Sequence, residues 1–351
     1  MSDRIGMKDI SKIVLFTGVI ALLLLLFSAM MHPAKWLETK EYQNRDTRYI
    51  MIGEQPADTI DVLNIGDSLS LSVFNPMELW REKGYTGFNI GADGLRMAEC
   101  YYSIKNACKN QKPKVLMMET LYLFRYSLTD DSVMLLSQPI YYRVPSLKYH
   151  NIWKSLFERP SVMIYHRGYT VNENQGPYEG PANYMDLPLE DTKAKTDIPS
   201  FNKKWFDRIK NYCDENDIEL ILYSSASAKN YNWERVHNLE AFAEEEGVEY
   251  YDLNQRAGEI GINWEEDTND GGDHMNYFGS VKSTKFFGDL LAFKGIVTDH
   301  RGDAAYQDWD EELVDFDRLV KDMKGQSFQD IFKQRERDIW NKKYNMHQEM
   351  P

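Results

Sequence analysis

The sequence predicts an α/β fold in which helices cover both faces of a parallel sheet, and three observations predict it. Short apolar runs alternate with segments of helical periodicity between about residues 58 and 295, the rhythm of repeated strand–helix–strand units. Breakers punctuate the alternation, with Pro113 before one run and Gly247 after a helical pattern. One uncharged stretch, 13–31, stands outside this rhythm and reads as a membrane-spanning helix.

The span comes first in the chain. The sequence IVLFTGVIALLLLLFSAMM carries no charge, and at ~1.5 Å rise per residue it just crosses a hydrocarbon core ~30 Å thick. The leucine run Leu22 to Leu26 leaves it no polar face, unlike an ordinary core helix. Arg4, Lys8 and Lys12 precede it, which places 1–12 in the cytoplasm and the body outside, although Lys35 and Lys40 weaken the asymmetry. A cleavable signal peptide is the rival, but its apolar core is ~7–15 residues, and no small-x-small site follows Phe27. A polar, extended stalk is expected over 32–57.

The predicted strands are Ile60 to Ile65, Thr86 to Ile90, Lys114 to Glu119, Glu219 to Tyr223 and Val248 to Tyr251. Helices are expected over Leu95 to Asn110, Ser200 to Asn216 and Trp233 to Glu246, the last stopped by Gly247, with another beginning near Tyr277 or Phe278. The segment 121–199 breaks the rhythm with tyrosines, prolines and turn-forming residues, so it reads as an insertion over the C-terminal edge of the sheet. A charged tail, 296–351, is expected to hold one or two surface helices.

Composition excludes some functions. Lys and Arg total 41 against 55 Asp and Glu, and the net charge of -14 repels nucleic-acid backbones and favours a neutral or locally cationic substrate. Cys100, Cys108 and Cys213 lack metal-ligand spacing and read as small buried hydrophobes. Seven His and three Cys without paired spacing lead to the expectation of no metal and no dissociable cofactor.

The sharpest local feature is Gly66-Asp67-Ser68-Leu69-Ser70 at the junction of the first strand with a helix. A serine there is exposed at the functional edge of a parallel sheet, beside helix N-terminal amides able to hold an oxyanion. Ser68 as a plain helix cap is the competing reading. A serine nucleophile needs a base, and His274 lies in the glycine-rich loop Asn269-Asp270-Gly271-Gly272-Asp273-His274-Met275-Asn276 before a helix.

Together with Asn89-Ile90-Gly91-Ala92-Asp93-Gly94 after the second strand, these blocks resemble the SGNH, or GDSL, hydrolase superfamily over about 61–293. The resemblance implies a flavodoxin-like three-layer sandwich with a parallel five-stranded sheet, Ser68 as nucleophile, His274 as base, and the Ser68 and Gly94 amides as the oxyanion hole. Two departures stand out. The family's third block, Gly-x-Asn-Asp, is replaced by Met118-Glu119-Thr120-Leu121-Tyr122, which removes an asparagine donor and leaves Thr120 as the candidate substitute. The usual acid, three residues before the histidine, is Gly271 here. Asp270 is preferred because a one-residue loop insertion preserves the chain reversal; Asp273 is the alternative, disfavoured because adjacent side chains diverge.

Further similarity, carried by Asn75 to Trp80, Glu119, Trp233, His237 and Asn276, points to bacterial membrane-tethered SGNH proteins. These include the D-alanyl transfer protein of teichoic acid alanylation and polysaccharide O-acetylation proteins, which act beside a membrane-bound O-acyltransferase. The resemblance implies acyl transfer, acetyl before D-alanyl, onto a cell-surface glycan or cell-wall polymer by a single-pass protein of the bacterial cytoplasmic membrane whose catalytic domain is extracytoplasmic. It marks Glu119, Trp233, His237 and Asn276 as substrate-contact candidates, although packing and a helix surface account better for Trp233 and His237. A carbohydrate esterase and a non-catalytic glycan-binding partner of the acyltransferase are the alternatives.

Overall fold

The computed structural model describes residues 7–30, 47–148, 165–172, 174–178 and 197–323. Residues 1–6 of the expected cytoplasmic segment, the last residue of the expected span, and parts of the expected stalk, insertion and tail (31–46, 149–164, 173, 179–196 and 324–351) lie outside the described residues. Helix α1 (Met7–Met30) contains Lys8–Phe27, long and apolar enough to cross a membrane, with its apolar side chains exposed.

Five parallel strands form one sheet in the order β2-β1-β3-β4-β5. They are β1 (Val62–Ile65), β2 (Gly87–Asn89), β3 (Val115–Glu119), β4 (Glu219–Ser224) and β5 (Glu249–Asp252). The fold is therefore the expected α/β sandwich. Strand ends shift from the predicted bounds where side chains take over the ladder. Ile60 N–H donates to Gln111 Oε1 and Asp61 N–H to Thr86 Oγ1, so pairing begins only at Val62.

Alternation along the strands divides the core. Val62, Val115, Met117, Ile221 and Tyr223 face one layer, where they meet Val73, Leu79, Phe287 and Leu291. Leu63, Ile65, Leu116, Met118 and Leu222 face the other, against Ile104, Trp205, Phe206 and Leu239. The first layer holds α3 (Ser68–Val73), α4 (Pro76–Lys83) and α11 (Tyr277–Lys294). The second holds α5 (Met97–Ala107), α8 (Ser200–Glu215) and α9 (Trp233–Glu246); α6 (Leu128–Arg143) and α7 (Pro145–Lys148) precede α8, and the short α10 (Ala257–Ile260) follows β5. Caps set the bounds. Asn75, Asn232 and Asn276 accept hydrogen bonds from first-turn amides of α4, α9 and α11, while Gly84, Gly247 and Gly295 end those helices with left-handed backbone.

Two regions differ from expectation. The described end of the stalk is helical, with α2 (Thr47–Met51) and a 3₁₀ turn, Ile52–Glu54; Thr47, Arg48 and Ile52 are buried in the domain. In the tail, α12 (Gln307–Met323) is amphipathic rather than only a surface helix. It buries Trp309, Phe316 and Leu319, packs Trp309 at a tilt against Trp80 with 5.4 Å between ring centroids, and accepts a hydrogen bond from the Trp80 indole at Asp310 (2.9 Å). The apolar stripe of α12 is spaced among acids and bases, which conceals it in a composition count. The three cysteines are free; Cys100 and Cys213 are fully buried, Cys108 partly.

Candidate active site

The strand order reverses between β1 and β3, and the crevice beyond the carboxyl ends of those strands is where open α/β sheets bind ligands. Ser68 stands there. Asp67, not Ser68, caps α3, accepting from Leu69 N–H at 3.1 Å, which leaves the Ser68 hydroxyl free to face outward. Gly66 is required by close approach: a Cβ there would lie 2.5 Å from Glu119 Cβ and 2.7 Å from Ser70 Cβ. Two buried strand amides fix the helix beneath the serine, with Asn64 and Asn89 both donating to the Ser70 carbonyl at 3.1 and 3.0 Å.

His274 reaches Ser68 from the other end of the domain. Its Nε2 lies 2.8 Å from Ser68 Oγ and its Nδ1 2.7 Å from Asp270 Oδ2. Asp270 also accepts the His274 backbone N–H at Oδ1 (2.7 Å), so one carboxylate fixes both the main chain and the ring. A bridge between Thr268 and Met275, with Asn269 N–H donating to the His274 carbonyl (2.9 Å), closes the loop so that a residue four positions back swings under the imidazole. Asp273 instead accepts a short hydrogen bond from Asn230 and stays 3.7 Å from His274 Nδ1. The insertion straps this loop: Gly271 N–H donates to the Gly176 carbonyl and Tyr277 N–H to the Asn172 carbonyl.

The chemistry open to this chain of groups is nucleophilic. With Nδ1–H held by Asp270, Nε2 is the tautomer able to accept the serine proton. Neither Ser68 N–H nor Gly94 N–H meets an acceptor among the described residues, and Gly94, at φ +61°, is exposed on the same side of the sheet. Asp270, Asp273 and His274 are the one grouping among the described residues with potential metal-ligand atoms within 4.8 Å of each other. Both ring nitrogens are already engaged by Ser68 and Asp270.

Several sequence candidates lie elsewhere. Thr120 is buried with its hydroxyl bonded to Ser224 (2.9 Å) and Tyr231 (3.2 Å), away from any oxyanion position. Glu119 is also fully buried, accepting from Tyr231 OH and from Leu121 N–H (3.0 Å), so it cannot touch substrate. Burial, reinforced by the charge of Asp67, pushes the Glu119 carboxyl up to about 8. Asp67 is raised too, chiefly by burial, against the opposing Leu69 N–H and Arg125. Asn276 is a buried helix cap, and Trp233 and His237 face each other at 5.5 Å on the first turns of α9. None of the three lines the cleft beside Ser68.

Two arginines stand by the site, Arg125, which the sequence favours as a structural residue, and Arg48, which no sequence signal marks. Arg125 follows the 3₁₀ turn Leu121–Phe124 after β3. Its Nη2 lies 3.0 Å from Asp67 Oδ2 as an ion pair without hydrogen-bond alignment, and its Nη1 would be 3.7 Å from a Cβ on Gly94. Its position after β3, where the family's asparagine block is lost, was the available signal. Arg48 lines the cleft itself, a space of about 460 Å³ shared by Ser68, Asp93, Tyr165, Tyr169 and His274. Nothing in the polar sequence around it marked it.

No family model and no curated protein matches the chain. Among solved structures, a candidate acylhydrolase from Bacteroides fragilis is similar at 14% identity and a TM-score of 0.36, covering 72% of this chain and 97% of that one. A GDSL-like lipase from Bacteroides thetaiotaomicron is similar at 10% identity and a TM-score of 0.33, covering 72% and 96%. The likeness of this chain to the SGNH hydrolases accordingly rests on its own residues: Gly66 to Leu69, Asn89 to Gly94 and the Asp270–His274 loop, set on a sheet of order 2-1-3-4-5.

Proposed function

We propose that the chain is a serine acyl-transfer enzyme that carries an acyl group, acetyl first and D-alanyl second, as an ester on Ser68. The observation that carries this reading is the continuous chain from Asp270 through His274 to Ser68, at 2.7 and 2.8 Å. Ser68 Oγ attacks the ester carbonyl carbon and its proton passes to His274 Nε2. The carbonyl oxygen becomes an oxyanion beside the Ser68 and Gly94 amides. The ester C–O bond breaks, and His274 returns the proton to the departing alkoxide. A second hydroxyl then gives its proton to His274 and attacks the acyl carbon, and Ser68 leaves with that proton.

When the second hydroxyl belongs to a sugar of a cell-envelope polymer, the outcome is O-acylation. When it is water, the outcome is ester hydrolysis. The resemblance to membrane-tethered acyl-transfer proteins supports the first, with a membrane O-acyltransferase as donor partner and α1 as the anchor. A fluorophosphonate probe tests the chemistry: the wild-type chain should be labelled and Ser68→Ala should not. A wild-type chain that resists the probe would leave a tethered, non-catalytic glycan-binding partner as the better reading.

A further inference from the structure

Among the described residues, one positive side chain lines the cleft beside Ser68, and it comes from an unexpected part of the chain. Arg48, on α2, is only 8% exposed and lines the cleft together with Ser68 and His274. Its Nε donates to the Gly168 carbonyl at 2.5 Å, and its guanidinium carbon lies 4.8 Å over the Tyr165 ring. These two contacts fix the plane of the fork. Its two terminal NH₂ groups make no hydrogen bond among the described residues. Burial opposes its charge, while Tyr165 and Asp93 favour it. Asp93 is an exposed residue of the same cleft, and Asp270 is engaged by His274. The fork is thus held in place while its donor edge opens on the cleft, where a carboxylate or phosphate is the acceptor that matches it with two parallel hydrogen bonds. Tyr165, Thr170, Asn172 and Asn269 complete a wall of hydroxyl and amide groups suited to a sugar.

Resting on the serine acyl-transfer reading for its location, we propose that Arg48 forms an anion subsite beside Ser68, and that the molecule acylated or deacylated there is a sugar bearing a carboxylate or phosphate group. This revises the expectation of a neutral or cationic substrate drawn from the net charge of -14. Overall charge acts at long range and is screened beyond ~8 Å in physiological salt, whereas recognition at a desolvated arginine is short-range.

Calorimetry on the full detergent-solubilised Ser68→Ala chain tests it, with galactose, galacturonate and galactose 6-phosphate as probes. At least one acid should bind about tenfold or more tighter than galactose, and which one does so identifies the source of the anion. In Arg48→Gln the ratio of acid to galactose should collapse to within about twofold, and Arg48→Lys should retain part of it. Equal binding of all three sugars, or an acid preference that survives Arg48→Gln, would overturn the subsite. If Arg48→Gln does not fold, the ratio in the Ser68→Ala chain and that in its Arg48→Lys variant still decide. Fluorophosphonate labelling of the wild-type chain separates the two readings: labelling without acid preference sinks the anion subsite alone, and acid preference without labelling sinks the acyl-enzyme alone.

Discussion

At the scale of single residues, loop closure brings one of two neighbouring acids to the His274 ring. Asp270 touches His274 twice, through ring and backbone, while Asp273 is turned toward Asn230. Asp270→Asn should lower kcat/KM by about 10³–10⁴-fold, as expected when the orienting carboxylate is lost and the tautomer is wrong. Asp273→Asn should cost less than about tenfold; the reverse ranking on a chromogenic acetyl ester would transfer the role. The spacing of Asp270 was legible because an extra loop residue leaves the chain reversal intact. Thr120 and Glu119 lie elsewhere than expected because position at the end of β3 does not reveal which way a side chain turns, and both turn into a buried network with Tyr231. That network makes a separate prediction. Glu119 is held up to about 8 in the fold against about 4.5 in the unfolded chain, so between those values the native state binds the extra proton. Its contribution to stability is therefore greatest below about 4.5, declines as pH rises to about 8 and stays low above. Denaturant unfolding of the wild type should show that decline, and Glu119→Gln should flatten it; an unchanged pH slope in the variant would show that Glu119 is ionised throughout.

Among the elements, those with a simple periodicity were read closely from the sequence. The helix Trp233–Glu246 ends at Gly247, and α11 begins at Tyr277, each where a cap dictates. Elements whose apolar residues are diluted by charge were not: α12 buries Trp309 and Phe316 between runs of Asp and Glu, and α2 delivers Arg48 to the cleft from what reads as a polar stalk. No local pattern shows where such a segment docks, since docking depends on the partner surface, here Trp80 for α12. Trp309 also lies under Arg167, whose guanidinium carbon sits 4.2 Å over the indole and whose Nε is 2.8 Å from Glu312. Trp309→Ala should therefore destabilise the domain by about 3–5 kcal/mol, the usual cost of deleting a fully buried aromatic. Chemical denaturation measures this directly. A loss below about 1 kcal/mol would mean that α12 is peripheral to the fold.

For the whole molecule, α1 is long and apolar enough to cross a membrane, and the proposed function makes it the anchor of the sheet domain. The chain between Met30 and Thr47 can span at most roughly 60 Å when fully extended, so with α1 anchored as proposed the Ser68 cleft would stay within reach of material at the membrane surface. Protease added to intact spheroplasts should remove the body, and a protected body would reverse the orientation. The net charge of -14 adds that encounter with an anionic polymer should quicken as salt is raised from low ionic strength, because screening weakens the repulsion. An acyl group held covalently on Ser68 is what both transfer and hydrolysis require. Rapid quenching of the full-length protein with p-nitrophenyl acetate, followed by mass analysis of its peptides, tests that requirement most directly. The expected result is a burst of about one p-nitrophenolate per chain, with acetyl on the peptide containing Ser68 and neither in Ser68→Ala. An acetyl adduct on a different residue, or steady turnover that persists undiminished in Ser68→Ala, would contradict it.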